Sequence, residues 1–283
     1  MSEYLRMMRV KDWIKFYPFF PLIGALLANA SLVTFILIGI AFFCVIGYGF
    51  VINNYFDVEI DKKHAGKIKV NKNPLVAGTV TKRGTLTLCG LLIAIAIAIS
   101  GLLDWIGLLF TFMSILFLTI YSARYTRLKE RFFIDIISHG MMFGLFPFLA
   151  GFTLAGGDLA LFSSTGLAIP GLFMIVGCEA LITHQINDYR EDLGITDTTI
   201  VRIGLKNGWF FLFVLVSLSI IDLEIVAHYF EIGALINYEA IADLPGIGMI
   251  VHAFALTYLI AYPIYMCQGE LKKCRGDAKK CSQ

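Results

Sequence analysis

The chain has 283 residues, of which 58% are hydrophobic and only 16% are charged. Soluble domains carry about 45–50% apolar and about 25% charged residues, so this composition argues against a soluble globular protein. The formal net charge of +2 points to no particular partner, and we expect none among nucleic acids. Because the apolar residues form long runs, we predict an all-α polytopic membrane protein.

Eight apolar runs follow one another along the chain, and each predicts a transmembrane helix. The runs lie roughly at residues 16–30, 33–53, 84–102, 104–122, 132–156, 165–186, 208–226 and 246–267. Residues 227–245 leave three alternatives open: a loop, a short interfacial helix or part of a ninth span. Their ionisable residues, which are costly in lipid, are His228, Glu231, Glu239 and Asp243.

Basic residues are concentrated in alternate connections between the runs. The basic connections are 54–83, 123–131 and 187–207, whereas those near 29–32, 101–105 and 154–160 contain no Lys or Arg. The positive-inside rule therefore places the N-terminus and the basic connections in the cytoplasm. It also favours eight spans, because nine would put the basic tail outside. We expect a multi-pass protein of the cell membrane with its functional loops on the cytoplasmic side.

The second run ends in an acidic sequence, NNYFDVEID, at residues 53–61. Asn53, Asp57 and Asp61 are spaced by four residues, so on an α-helix they lie nearly above one another. This spacing predicts one helix face that presents an amide oxygen and two carboxylates at the end of a membrane-length helix.

A second acidic cluster, THQINDYRED, ends the sixth run about 130 residues later. The matching positions predict two pseudo-repeated four-helix halves, each with an acidic helix end on the cytoplasmic side. Carboxylates gathered at one point repel each other, and Mg²⁺ relieves this with oxygen ligands while completing its shell with substrate phosphates. We therefore predict two or more Mg²⁺ ions and a bound diphosphate, with the metal ligands Asn53, Asp57, Asp61, Asp188 and Asp192.

Basic residues near the two clusters are candidates for binding the diphosphate, because a leaving group with growing negative charge is stabilised by nearby cations. The alternative is that each is only a positive-inside charge. The candidates are Lys67, Lys72, Arg83, Arg131 and Arg202, together with Lys129.

Several of these motifs resemble those of the UbiA superfamily of intramembrane prenyltransferases. NNYFDVEID resembles its NDxxDxxxD motif, with Asn54 where Asp is usual, and QINDYRED resembles its DxxxD motif through Asp188 and Asp192. YTRLK, residues 125–129, matches its YxxxK element. NPLVAGTVT resembles its RPL segment, but Asn73 stands where Arg is usual. Lys72 therefore becomes the stronger candidate for the phosphate contact of that Arg.

The resemblance implies a single domain, residues 1–283, forming a bundle commonly of nine spans around a central cavity. It implies Mg²⁺-dependent transfer of a prenyl group from an isoprenyl diphosphate to a small or lipid-like acceptor, an aromatic ring among the candidates, within membrane lipid. Lys129, Tyr125 and Asp188 would take part in catalysis. His139 and His184 flank the site in sequence without standing out as an acceptor base, and the acceptor, the donor chain length and the oligomeric state stay open.

Two other functions compete with this interpretation. RVKDWIKF, residues 9–16, resembles the RPxxWxKN opening of the superfamily branch that moves phosphoribosyl groups onto polyprenyl phosphate, although Val10 and Phe16 depart from that pattern. An ion or small-molecule transporter is the other alternative, because intramembrane carboxylates often mark ion paths. Against it, the carboxylates lie at span ends on one face rather than at mid-depth.

Overall fold

The computed structural model describes residues 3–63, 73–162, 164–237 and 247–268, and every regular element within these ranges is a helix. The helices are α1 Glu3–Met7, α2 Val10–Trp13, α3 Phe19–Leu27, α4 Leu32–Phe56, α5 Val58–Asp61, α6 Lys82–Leu103, α7 Trp105–Ser122, α8 Ile134–Leu154, α9 Ala168–Asp192, α10 Thr199–Ile203, α11 Leu205–Asn237 and α12 Ile247–Met266. The predicted all-α class is confirmed.

Six of the described helices are long and apolar enough to cross a membrane: α4, α6, α7, α8, α9 and the Leu205–His228 part of α11. The predicted run at 16–30 contains only the nine-residue helix α3. Helix α11 continues through the uncertain region to Asn237, while residues 238–246 lie outside the described ranges. The choice between eight and nine spans, the two pseudo-repeated halves and the single domain stay predictions.

Polar side chains at the ends of the spans fix where the helices begin. The Ser31 hydroxyl accepts a hydrogen bond from the N–H of Thr34 at 3.2 Å and starts α4. Asp104 does the same for α7 through the N–H of Gly107 at 2.8 Å. Such caps satisfy N–H groups that the helix leaves open. The Asp104 cap allows α7 to begin after a single residue that follows the end of α6.

Glycines let the helices around the centre of the bundle approach backbone to backbone. A Cβ on Gly144 of α8 would lie 2.1 Å from the carbonyl oxygen of Phe173 in α9. A Cβ on Gly151 would lie 1.9 Å from the carbonyl oxygen of Pro21 in α3. Small residues at such crossings are typical of packed transmembrane helices. They hold α8 tightly between α3 and α9.

Candidate active site

The first acidic motif bends where the sequence predicts a continuous helix. Helix α4 ends at Phe56, Asp57 has φ −91° and ψ 3°, and the short helix α5 follows. The four-residue register survives the bend, because the N–H of Asp57 bonds to the carbonyl of Asn53 at 3.0 Å and that of Asp61 to the carbonyl of Asp57 at 2.8 Å. The prediction that one uninterrupted helix carries the motif was wrong, but the four-residue spacing of Asn53, Asp57 and Asp61 is kept.

Two cations converge on the carboxylate of Asp57, which is only 5% exposed. Lys129 donates from Nζ to Oδ2 in a short charged hydrogen bond, and Arg127 Nη2 lies 3.3 Å from Oδ1. Lys129 Nζ also donates to Oδ1 of Asn53 at 2.9 Å. A buried carboxylate is costly unless it is paired in this way. The structure thus brings the predicted Lys129 onto two predicted metal ligands.

The loop after α7 adopts a strained conformation that delivers both cations. Arg127 has φ 39°, in the left-handed region that non-glycine residues rarely occupy, and it begins a short 3₁₀ turn, Leu128–Glu130. Its guanidinium also pairs with Glu130, with Nε 2.7 Å from Oε2. Such strain persists where surrounding contacts over-determine it, often at functional sites. Arg127 was not among the sequence candidates, because its role depends on this turn.

Asn73 anchors the far end of the first motif. Its Nδ2 donates to Oδ2 of Asp61 at 2.9 Å and to the backbone carbonyl of Asn54 at 2.8 Å. The residue that stands where the family has Arg therefore orients a predicted metal ligand. The candidates Lys67 and Lys72 lie outside the described residues, and their diphosphate role stays a prediction.

Asn54 points away from the other motif residues and into the N-terminal segment. It is buried, and its Nδ2 donates to the backbone carbonyl of Met7 at 3.1 Å. An ionised aspartate at this position could not donate this bond, because a carboxylate only accepts. Asn54 therefore ties α1 to the end of α4.

The second motif completes helix α9, which ends at Asp192. Asp188 is exposed and Asp192 is half-buried. Among the described residues, no group of three or more His, Cys, Asp or Glu side chains lies close enough to hold a metal ion. The five-residue ligand set stays a prediction.

A buried carboxylate that sequence reasoning missed positions the second motif. Asp135, at the start of α8, is fully buried and accepts at Oδ2 from Gln185 Nε2 at 2.8 Å and from the Thr199 N–H at 2.9 Å. Gln185 Oε1 accepts from the N–H of Ile200 at 3.1 Å. Asp135 thus joins α8, α9 and α10 one turn before Asp188. Its position as an acid inside the predicted span 132–156 was the sequence signal that could have identified it.

The remaining predicted site residues lie on the surface of the same face. Tyr125 is 94% exposed, whereas Tyr121 is half-buried. Arg83 and Arg131 are exposed, and Arg131 donates to a backbone carbonyl of its own loop at 2.7 Å. Arg202 donates to the backbone carbonyl of Glu130 at 3.1 Å, next to Lys129. The catalytic and diphosphate-binding roles of these residues stay predictions.

Aromatic side chains fill the bundle beneath the acidic motifs. Phe16 and Tyr262 stack with ring centroids 4.8 Å apart and planes within 3°. Tyr17 stacks on Phe143 at 4.2 Å. The faces of such rings stabilise cations, by about 0.5–2 kcal/mol per contact. His139 lies buried among them, whereas His184 is exposed.

This arrangement defines a polytopic helical membrane protein with an oxygen-rich, cation-lined site where its spans end. The chain belongs to the UbiA prenyltransferase family, whose sequence profile matches residues 18–265. The predicted recognition and enzyme class, a UbiA-type prenyltransferase, are confirmed.

Solved structures of UbiA homologues from Archaeoglobus fulgidus share the fold. The homologue bound to DMAPP and Mg²⁺ has a TM-score of 0.74 and 20% identity, covering 93% of this chain and 86% of that one. The homologue bound to GPP and Mg²⁺ has a TM-score of 0.69 and 21% identity, covering 94% of this chain and all of that one.

A digeranylgeranylglyceryl phosphate synthase from Natronomonas pharaonis is 26% identical over 147 residues. The aligned part is 51% of this chain and 47% of that enzyme, so the match spans about half of the relative's length.

Proposed function

We propose that this protein transfers a prenyl group from an isoprenyl diphosphate to a small or lipid-like acceptor within the membrane, with Mg²⁺ as cofactor. The observation that carries the proposal is the convergence of Lys129 and Arg127 on Asp57, in register with Asn53 and Asp61. Oxygen ligands and cations thus meet at the mouth of an aromatic bundle. The family membership and the DMAPP, GPP and Mg²⁺ bound to the A. fulgidus homologues support it.

The residues at the first motif fit a hard divalent cation in their chemistry. Asn53, Asp57 and Asp61 offer only oxygen atoms, and both carboxylates are buried. Mg²⁺ uses one or two carboxylates and takes its other ligands from water and substrate phosphates, so it does not require a preformed cluster of acids. These residues would hold the ion with Asp188 and Asp192, and the bound ion would offset the charge of the diphosphate.

The protein's own side chains supply the other functions that the reaction needs. Lys129 and Arg127 supply positive charge where the diphosphate leaves, a contribution commonly worth about 10²–10³ in rate. The rings beneath the motifs face the allylic group as it gains cationic character. The apolar spans hold the prenyl tail and exclude water that would otherwise capture the cation.

The proposed setting is a multi-pass protein of the cell membrane, with both motifs on the cytoplasmic face and a role in lipid or quinone biosynthesis. The basic connections and the positive-inside rule support this orientation. Membrane lipid would surround the spans and supply or receive the hydrophobic substrates.

The test is Mg²⁺-dependent release of diphosphate from GPP by the purified protein in nanodiscs made from a native lipid extract, which supplies the acceptor. We expect Asp57→Ala and Asp188→Ala each to abolish it. Glu59→Ala is the matched control, because Glu59 lies in the same segment but off the register. It bonds Lys62 at 2.9 Å, and this hydrogen bond lowers the pKa of the Glu59 carboxyl. Near-normal turnover in either aspartate variant would contradict the two-motif site.

Two further assays of the purified protein, in nanodiscs for transfer and in proteoliposomes for transport, separate the competing functions. Transfer from a radiolabelled sugar diphosphate, with no consumption of prenyl diphosphate, would replace the proposal with phosphoribosyl transfer. Ion flux into proteoliposomes that is lost in Asp57→Ala would replace it with transport.

A further inference from the structure

The segment that carries Lys129 and Arg127 is bordered by two residues with left-handed backbone. Arg127, which precedes the turn Leu128–Glu130, has φ 39°, and Phe133, which precedes α8, has φ 58°. Residues other than glycine rarely adopt such angles, and they keep them only where surrounding contacts hold the backbone. The contacts that hold this segment therefore help to present both cations to Asp57.

Helix α10, which follows the second acidic motif, bonds to this segment at two places. The backbone N–H of Phe133 donates to Oγ1 of Thr199 at 2.8 Å. Nη2 of Arg202 donates to the backbone carbonyl of Glu130 at 3.1 Å. Glu130 is the last residue of its turn, and the carbonyls at the end of a helix have no partner within that helix. Arg202 therefore supplies a hydrogen bond that the turn cannot make for itself.

Helix α10 is itself fixed in position by buried contacts. Thr199 and Ile200 are fully buried. The N–H of Thr199 donates to Oδ2 of Asp135 at 2.9 Å, and the N–H of Ile200 donates to Oε1 of Gln185 at 3.1 Å. The side chain of Arg202 thus extends from a helix that is anchored to both α8 and α9.

The exposure of Arg202 argues against a main role in holding the fold. Its side chain is 43% exposed, and the carboxylate of Asp197, 3.7 Å away, belongs to a side chain that is 75% exposed. Exposed ion pairs of this kind contribute little to stability. The bond from Arg202 instead ends at Glu130, which directly follows Lys129 and whose carboxylate pairs with Arg127 at 2.7 Å. The side chain is therefore placed to act on the two cations.

We propose that Arg202 is a positioning residue for the reaction, which fixes the turn so that Lys129 and Arg127 contact Asp57. This inference rests on the proposed function, and it gives Arg202 a different role from the diphosphate contact expected from the sequence. Preorganised charges stabilise a leaving group because they need no rearrangement during the reaction, and a displacement of about 1 Å can lower a rate about 100-fold. Because α10 follows the second motif, Arg202 also connects the two acidic motifs through this turn.

Arg202→Met is the test variant, because it keeps an extended side chain and removes the hydrogen-bond donors. Lys206→Met is the matched control, because it removes one exposed positive charge four residues later in the chain. Each variant is made alone and combined with Lys129→Ala. Diphosphate release from GPP is measured in nanodiscs made from a native lipid extract, and the affinity for Mg²⁺ alone is measured by calorimetry in the absence of the prenyl donor.

We expect Arg202→Met to lower kcat about 10–100-fold and Lys206→Met to leave it unchanged. In the Lys129→Ala protein, Arg202→Met should lower kcat by less than about 3-fold further, because a main group that it positions is already absent. Without donor, Arg202→Met should raise the affinity for Mg²⁺ about 2–30-fold, because a loosened Lys129 competes less for the oxygens of Asn53 and Asp57.

Three results would overturn the inference. The first is wild-type kcat in Arg202→Met. The second is an equal loss of kcat with and without Lys129, which would make Arg202 an independent contact of the diphosphate. The third is an unchanged or lowered affinity for Mg²⁺ in Arg202→Met, as expected from loss of a diphosphate contact or from general loss of structure. Absence of GPP consumption by the wild type would contradict the proposed function instead, and the calorimetry would still test the positioning of Lys129.

Discussion

Removal of the Asp135 carboxylate should destabilise the bundle and disturb the second acidic motif. In Asp135→Ala, the N–H donors of Gln185 and Thr199 lose their acceptor in a fully buried position. Each unsatisfied buried donor costs about 1–3 kcal/mol, so we expect the free energy of unfolding to fall by roughly 2–6 kcal/mol. Because Gln185 lies one turn before Asp188, the rate of diphosphate release should fall as well.

The assay is SDS titration of the detergent-solubilised protein followed by tryptophan fluorescence. Asp158→Ala is the control, because Asp158 is exposed and accepts one bond from the N–H of Ala160 at 2.9 Å. Its effect should be about 1 kcal/mol or less. A double-mutant cycle between Asp135 and Gln185 should give a coupling of about 0.5–3 kcal/mol. An Asp135→Ala protein as stable as the control, or additive effects in the cycle, would refute the reasoning.

Three further substitutions test other contacts. Lys129→Ala should raise the affinity for Mg²⁺, measured by calorimetry in the absence of the prenyl donor, and should lower turnover about 100-fold. An unchanged affinity for Mg²⁺ would count against competition between Lys129 and Mg²⁺ for the same oxygens. Asn54→Asp should loosen the N-terminal segment by about 1–3 kcal/mol, because the bond to Met7 is lost, and trypsin should cleave that segment faster than in wild type. Gly151→Ala should lower the thermal midpoint, whereas Gly90→Ala, whose Cβ meets nothing within 4 Å, should not.

The sequence predicts those parts of the fold that depend on local composition. Apolar runs mark the spans, and Ser31 and Asp104 begin helices as their side chains dictate. The spacing of Asn53, Asp57 and Asp61 follows from helix geometry and survives the bend. Lys129 became a candidate through the family resemblance, but its contact with this motif was not predicted, because no periodicity relates residues so far apart.

Other parts of the site depend on tertiary contacts that leave little trace in the sequence. Arg127 bonds to Asp57 from a left-handed backbone position that its sequence does not indicate. Tyr125 lies beyond the end of α7 and turns outward, whereas Tyr121, one helical turn earlier, stays inside. Asn54 directly follows Asn53 in the sequence, but its side chain bonds to the backbone of Met7, whereas that of Asn53 bonds to Lys129. Spacing alone cannot assign such residues to the site or to the scaffold.

In the proposed reaction, the position of Lys129 would link donor binding to metal binding. Its ammonium bonds to Asn53 and Asp57, which are also the proposed ligands of Mg²⁺. The same oxygens cannot bind the lysine ammonium and Mg²⁺ strongly at the same time, because the two cations would repel each other in a poorly solvated site. A diphosphate offers the ammonium another anionic partner. We therefore expect Mg²⁺ and the donor to bind more tightly together than either does alone, with Lys129 moving from the carboxylate to the phosphate.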